Sequence, residues 1–117
     1  MKHSVTCLGF PVSAEVLWLD DGADIGITGG CRTHVGAVTL AEPDGTLRTL
    51  LRDSHRDDMV SERWASVLAE RWQVPVCVRC GIHYEGVSRE RIDQIVSAAQ
   101  MLLYQVINEE TPGSGDL

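Results

Sequence analysis

The stretch Thr33–Leu51, THVGAVTLAEPDGTLRTLL, carries the clearest structural signal in the chain. Its two ends are rich in β-branched and apolar residues, and Pro43-Asp44-Gly45 between them is a turn sequence. The pattern predicts a β-hairpin with strands at Thr33–Ala41 and Thr46–Leu51. The sheet of this protein should therefore contain at least one antiparallel pair.

The sequence before this hairpin also indicates strands. Asp20-Asp21-Gly22 predicts a tight turn, and Gly29-Gly30-Cys31-Arg32 predicts a loop. We expect His3, close to the chain start, to be exposed. Three strand candidates lie around these turns, at Ser4–Leu8, Ala14–Leu19 and Asp24–Thr28.

After the hairpin the periodicity changes to helix, strand, helix. An apolar face at helical spacing predicts a helix that ends near Trp72, and Pro75 marks entry to a buried strand that continues through Ile82. Ser88 is an N-cap candidate for a long final helix. Strands followed by helices predict an α+β protein, with an antiparallel or mixed sheet of about six strands and two main helices packed on it. We expect one domain over residues 1–110 and a flexible tail over 111–117.

Composition narrows the functional classes. The 117 residues are 44% hydrophobic and 23% charged, which is typical of a globular domain. The formal net charge of −7 disfavours nucleic acid and anionic membranes as partners. Neither a targeting segment nor a run of transmembrane length is visible, so we expect a cytoplasmic protein. An open sheet with two helices leaves a face or edge to cover, which favours a homodimer or a higher homo-oligomer.

Cys77-Val78-Arg79-Cys80 has the C-x-x-C form of metal and redox motifs. It lies within a predicted strand, where positions i and i+3 point to opposite faces. The two thiols would then not converge, and we interpret them as structural cysteines.

Three histidines lie at predicted element boundaries, where functional side chains are often presented: His34, His55 and His83. Two segments suit an anion. The Gly29-Gly30 pair allows close backbone approach, with Arg32 and Thr33 beside it, and Ser54-His55-Arg56 precedes a helix N-terminus. Each feature is also common without a ligand, as a turn or as a solvated helix start. Together they predict a site for a phosphate-bearing ligand.

A metal is a natural companion of these histidines. Imidazoles and an acid such as Asp57 or Asp58 suit a divalent transition ion, which would bridge to a phosphate. The alternative is that both acids are first-turn residues whose only role is a favourable interaction with the helix dipole. Zinc-finger spacing, a P-loop and a nucleophile elbow are absent from the sequence.

Four blocks together resemble the prenylated-flavin chaperone family, the LpdD-like small D subunits associated with UbiD-type gallate and hydroxybenzoate decarboxylases. They are Ile27-Thr28-Gly29-Gly30, Thr33–Val38, Ser54–Asp58 and Gly81-Ile82-His83. The resemblance spans Asp24–Val106. The chain departs from the family pattern at Ser54 and Arg56, where glycine and lysine are frequent, and in a short turn at Glu42–Gly45.

The resemblance implies a non-catalytic partner with a proteasome-assembly-chaperone-like fold. Family members bind prenylated FMN from a flavin prenyltransferase, assist its oxidative maturation and deliver it to the decarboxylase. The expected cofactor is prenylated FMN or FMN, with a divalent metal such as Mn or Zn. The expected metal ligands are His34, His55, His83 and Asp58. The expected cofactor-binding residues are Gly29, Gly30, Arg32, Thr33, His34, Ser54, His55, Arg56 and His83.

Two other functions remain open at this point. One is an interaction module without a cofactor, which predicts that the histidines are scattered. The other is a small metal-dependent hydrolase, which needs an open metal position and a nearby base. For a flavin ligand, Trp18 or Tyr84 would supply aromatic stacking.

Overall fold

The computed structural model of the protein describes residues 1–53 and 56–112. The predicted tail lies largely outside this range, at 113–117, as do Ser54 and His55. The elements, in chain order, are β1 (Lys2–Cys7), β2 (Phe10–Trp18), β3 (Ala23–Gly30), β4 (Ala37–Ala41), β5 (Leu47–Leu51), α1 (Asp58–Trp72), β6 (Val76–His83) and α2 (Arg89–Glu109).

The six strands form one sheet in the order β1-β2-β3-β6-β4-β5. Strands β3 and β6 are parallel, and all the other neighbouring strands are antiparallel. After β5, the chain forms α1 and returns to insert β6 into the centre of the sheet, which makes the sheet mixed. The predicted α+β class with six strands and two helices is confirmed.

Both helices pack on the same face of the sheet. Helix α1 covers β4 and β6, whereas α2 covers β1 and β2. Inward side chains alternate along the strands, so Val12, Ile25 and Val78 are fully buried beneath the helices. The two helices touch each other over only a short length, because they lie on different parts of the sheet. A groove therefore runs between them.

The two cysteines of the C-x-x-C sequence lie on opposite faces of β6, as predicted. Cys80 is fully buried under the helices, whereas Cys77 lies half-buried on the face without helices. Burial raises the pKa of both thiols, and raises it far more for Cys80. The two thiols therefore do not converge on one face of the strand, as the sequence predicts.

Several boundaries differ from the prediction. The hairpin is present, but its first strand is only Ala37–Ala41, because residues 31–36 turn around the end of the sheet instead of pairing along it. The predicted Gly29-Gly30 loop is the end of β3. There Gly29 packs against Val12, and Gly30 adopts a φ of 89°. Close strand packing thus accounts for glycine at 29.

The expected exposure of His3 is wrong. Strand β1 begins at Lys2 and places this ring inside the protein, with 2% of its surface exposed. Its Nε2 lies 2.6 Å from Oε2 of Glu110, which is also buried at the end of α2. The indole N–H of Trp18 donates to the other carboxylate oxygen over 2.9 Å. A buried carboxylate with several partners explains why a histidine is stable here.

The face of the sheet without helices is polar and mixed in charge. Arg79 on β6 extends across Gly26 on β3, where a larger residue would meet its guanidinium group. Lys2, Glu15 and Asp24 lie around the same shallow depression. Among the described residues, no helix is both long and apolar enough to cross a membrane.

Candidate functional site

A cavity of about 370 Å³ lies where β6 ends, between the start of α1 and the first turns of α2. Its size is within the range of small-molecule sites. The carboxyl ends of the parallel strands β3 and β6 meet at this edge of the sheet, a common position for ligands. Polar groups gather on one side, from His34, Arg56, Asp57 and His83. The rest of the wall is mainly apolar and includes Val60, Ile82, Tyr84, Val87, Ile92 and Val96.

Asp57 is the buried anchor of the polar side. It precedes α1 and makes no side-chain cap there; its Oδ1 instead accepts the N–H of Ile82 over 2.9 Å. Its Oδ2 lies 3.3 Å from Nε2 of His34. A protonated imidazole at this position would be attracted to the carboxylate. Asp57 thus connects α1, β6 and the loop that carries His34.

Two glycines make room for this arrangement. A methyl group on Gly36 would collide with the carboxylate of Asp57, and one on Gly81 would collide with the backbone carbonyl of His34. Either substitution would force the loop away from the sheet. The positions of His34 and Asp57 therefore depend on glycine at 36 and 81.

The thiol of Cys80 lies behind the carboxylate of Asp57. Its Sγ is 3.9 Å from Oδ1, and burial together with the negative charge of Asp57 raises the pKa of Cys80 far above its usual range. The thiol therefore stays protonated and acts as a weak donor. It therefore packs behind the carboxylate as a protonated thiol.

Of the three histidines predicted to converge, His55 lies outside the described residues, and His34 and His83 lie next to each other. Their ring centroids are 5.6 Å apart, with the planes at 66°. His83 also contacts two charged side chains: its Nε2 lies 3.1 Å from Oε1 of Glu85 and 3.3 Å from Nη2 of Arg32. The two imidazoles thus link the cavity to an exposed charged cluster.

Tyr84 forms an aromatic part of the wall. Its hydroxyl donates to the backbone carbonyl of Cys7 over 2.7 Å, and its ring packs edge-on against Phe10 at 6.0 Å. Burial is the main cause that raises the pKa of Tyr84 to about 12. Trp18, the other residue considered for stacking, lies instead against Trp72 at 4.6 Å and does not line the cavity.

A second cavity of about 280 Å³ adjoins the first along the groove between the helices. The two share Met59, Val60 and Val96 in their walls. Trp64 also lines the second cavity and is 1% exposed. Its indole N–H has no hydrogen-bond partner within the described part of the chain. The groove is therefore mainly apolar, with Arg63 and Gln100 also in its wall and with a buried, unpartnered donor at Trp64.

The sequence-predicted residues fall into three groups. His34, Arg56 and His83 line the main cavity. Gly29, Gly30, Arg32 and Thr33 do not line it, and Ser54 and His55 lie outside the described residues. The carboxylate of Asp58, the proposed acidic metal ligand, lies 3.4 Å from Nε of Arg56.

The sequence analysis considered Asp57 only as an alternative metal ligand and Tyr84 only as a candidate for stacking on a flavin. It did not predict the contacts of Asp57 with His34 and Ile82, or the proximity of Cys31 to His83. Asp57 and Asp58 are adjacent, and only the turn into α1 shows which of them faces the sheet. The glycines at 36 and 81 were the available signal, since each occurs in a strand-like segment two residues from a histidine.

Comparison with known proteins identifies the family and a similar fold. A family model described as the prenylated flavin chaperone LpdD-like domain matches residues 6–111. One chain of a yeast 20S proteasome assembly chaperone complex has a similar fold, with a TM-score of 0.52 and 15% identity over 92% of each chain. No curated protein sequence matches the chain. Because the family model covers almost the whole length, the chain belongs to the LpdD-like prenylated flavin chaperone family.

Proposed function

We propose that this protein binds prenylated FMN in the cavity at the end of β6 and carries it, without catalysing a reaction, to a UbiD-type decarboxylase. The observation that carries the proposal is the two-sided cavity, which has imidazole, guanidinium and carboxylate groups on one side and an apolar wall on the other. A phosphate-bearing ligand with an apolar ring system would match it, with the phosphate on the polar side and the rings on the apolar wall. Family membership supports the choice of flavin.

The phosphate would bind at the polar side. Arg56 lies at the cavity edge with its side chain 75% exposed, so it is free to turn toward a ligand. His34 and His83 add ring nitrogens beside it. The chain as a whole carries a charge of −7, so a local group of cationic and neutral donors is needed to bind an anion.

The ring system would lie against Tyr84 and extend along the groove between the helices. Val60 and Val96 line both cavities, so a long ligand would contact them throughout. A flavin carbonyl in the second cavity would accept the N–H of Trp64, a buried donor that otherwise lacks a partner in the described chain. The prenyl-derived ring would add apolar contact area in the same groove.

The ligand set proposed for a bridging metal is only partly represented. His34 and His83 are adjacent, His55 lies outside the described residues, and Asp58 is paired with Arg56. These contacts suit direct binding of the phosphate by Arg56 and the two imidazoles. A metal such as Mn or Zn at the predicted set of His34, His55, His83 and Asp58 is a variant of this proposal.

The expected partners are the flavin prenyltransferase that supplies the cofactor and the decarboxylase that receives it. We also expect a homodimer or a higher homo-oligomer through the open face of the sheet. Charges of both signs there, from Arg79, Lys2, Glu15 and Asp24, would allow two acidic chains to meet. Sedimentation velocity would test this, since a monomer at micromolar concentration contradicts it.

The decisive experiment is a titration of the purified protein with FMN and with prenylated FMN, followed by flavin fluorescence. We expect Arg56→Ala to weaken binding roughly tenfold, because a charge-assisted hydrogen bond contributes about 1.5–3 kcal/mol. Val96→Asp should weaken the binding of prenylated FMN more than the binding of FMN, since it places a charge in the apolar groove.

The matched control is Arg79→Ala, which removes an exposed arginine from the opposite face of the sheet. It should bind flavin like the unchanged protein. Equal losses in Arg56→Ala and Arg79→Ala, or no binding of either flavin by the unchanged protein, would contradict the proposal.

A further inference from the structure

Cys31, His83 and Glu85 form a cluster at the edge of the sheet, beside the cavity. Parallel pairing places Gly30 opposite His83, so the residue after Gly30 emerges next to the histidine. The Sγ of Cys31, a ring nitrogen of His83 and a carboxylate oxygen of Glu85 all lie within 4.8 Å of one another. No other group of three such side chains meets this limit within residues 1–53 and 56–112.

The three donor types are those of a zinc-like ion. Sulfur, imidazole nitrogen and carboxylate oxygen bind Zn²⁺ at about 2.3, 2.0–2.1 and 2.0–2.2 Å, which separates tetrahedral ligands by roughly 3.3–3.8 Å. The observed limit of 4.8 Å requires only a small inward movement. Cys31 and Glu85 are both exposed, so their side chains can make it. A thiolate among the ligands favours zinc over magnesium or calcium.

A cation already occupies the edge of this cluster. The Nη2 atom of Arg32 lies 3.3 Å from Nε2 of His83 and 3.6 Å from Oε1 of Glu85. The electrostatics of the cluster therefore favour positive charge. The arginine side chain is 66% exposed, so it would leave at little cost when an ion enters.

We propose that Cys31 Sγ, His83 Nε2 and the Glu85 carboxylate bind a thiophilic divalent cation, Zn²⁺ by its chemistry. The site leaves at least one coordination position for water or a ligand oxygen. It shares only His83 with the imidazole set predicted from the sequence. It does not depend on flavin binding, and it goes beyond the proposed function.

Binding changes the protonation of the cluster. The Cys31 thiol loses its proton to solvent and becomes the thiolate ligand, and the imidazole must be neutral. The ion replaces the weak contact, 3.5 Å long, between Cys31 Sγ and the backbone carbonyl of His83. Affinity should therefore fall as the pH falls, because protons compete with the metal for both groups.

Cobalt substitution tests the site directly. Titration of the reduced protein with Co²⁺, without flavin, should produce a near-ultraviolet charge-transfer band that reports a sulfur ligand. Competition with Zn²⁺ then gives the zinc affinity. Cys31→Ser should abolish the band. The matched control is Cys77→Ser, which removes a half-buried thiol from the open face of the sheet and should leave the band unchanged.

The remaining variants separate ligands from neighbours. His83→Ala and Glu85→Gln should each weaken zinc binding at least tenfold. Arg32→Ala should strengthen it, because the competing cation is gone. The proposal is overturned if Cys31→Ser keeps the band, if Arg32→Ala weakens binding, or if cobalt binds with no sulfur band. Flavin titration in the presence of a chelator tests the proposed function separately, so the two results are distinguishable.

Discussion

The His3–Glu110 and His34–Asp57 pairs differ in burial and in the distance between their nearest atoms. His3 and Glu110 are both buried, with 1% and 2% of their side chains exposed, and their nearest atoms are 2.6 Å apart. His34 and Asp57 are 3.3 Å apart, and the histidine side chain is 17% exposed beside a cavity. The first pair connects the start of the sheet to the end of the last helix. The second lies in the wall of the main cavity.

From this difference we infer that the first pair stabilises the fold and that the second contributes to ligand binding. The carboxylate of Glu110 is enclosed by the protein, with His3 on one oxygen and Trp18 on the other. The carboxylate of Asp57 accepts a backbone N–H. It lies against the loop that carries His34, and this loop fits there only because residues 36 and 81 are glycines. Loss of a partner should therefore cost stability in the first pair and ligand binding in the second.

Disruption of the His3–Glu110 pair should cause the greatest loss of stability. Glu110→Ala would leave His3 and the Trp18 N–H buried without their partner, which should lower the free energy of unfolding by about 3–5 kcal/mol. Urea unfolding followed by tryptophan fluorescence measures it. The control is Glu109→Ala, which removes a neighbouring carboxylate that lies 3.7 Å from His3 and is 44% exposed. It should cost less than about 1 kcal/mol, and equal losses in the two variants would mean that burial of the carboxylate does not decide its contribution to stability.

Ionisation of Cys80, behind the candidate site, should lower stability by a smaller amount at alkaline pH. The pKa of Cys80 is raised from 9.0 in the folded protein, so the folded state keeps a proton that the unfolded chain loses. Stability from this group is therefore complete below pH 9 and falls as the pH rises above it, by up to about 1.4 kcal/mol per pH unit. Urea unfolding between about pH 8 and 10 measures the slope.

Cys80→Ala should flatten this dependence, whereas Cys77→Ala should change it less, because Cys77 is only half-buried. Tyr84, whose pKa is raised to about 12, acts in the same direction at higher pH. An unchanged slope in Cys80→Ala would mean that the thiol is ionised, or already accessible to solvent, in the folded protein.

Local signals predicted most of the fold but little of either pair. The turn at Pro43-Asp44-Gly45, the helical periodicity before Trp72 and the cap at Ser88 each act within a few residues, and all three are present. The order of the strands was not predictable this way, because β6 pairs with β3 and β4 across long chain separations. The site depends on that insertion, which brings His83 to His34.

The His3–Glu110 pair was likewise not predictable from local sequence signals. His3 and Glu110 are separated by 107 positions, and neither lies in a sequence motif. A histidine near a chain start is typical of the surface, and only the packing of α2 against β1 buries it. Asp57 was distinguishable from Asp58 only through the direction of the turn into α1. Charge type is readable from sequence, whereas the partner of each charge requires the fold.

Disruption of the His34–Asp57 pair should change stability least and ligand affinity most. His34→Ala leaves Asp57 with the Ile82 N–H and with access to solvent at the cavity, so no buried charge is left alone. The free energy of unfolding should fall by no more than about 1 kcal/mol, against a loss of about 3–5 kcal/mol for His3→Ala. Flavin affinity should show the reverse order, with a loss in His34→Ala and none in His3→Gln, which keeps a hydrogen-bond donor for Glu110. A large stability loss in His34→Ala with unchanged affinity would mean that this pair, too, serves only the fold.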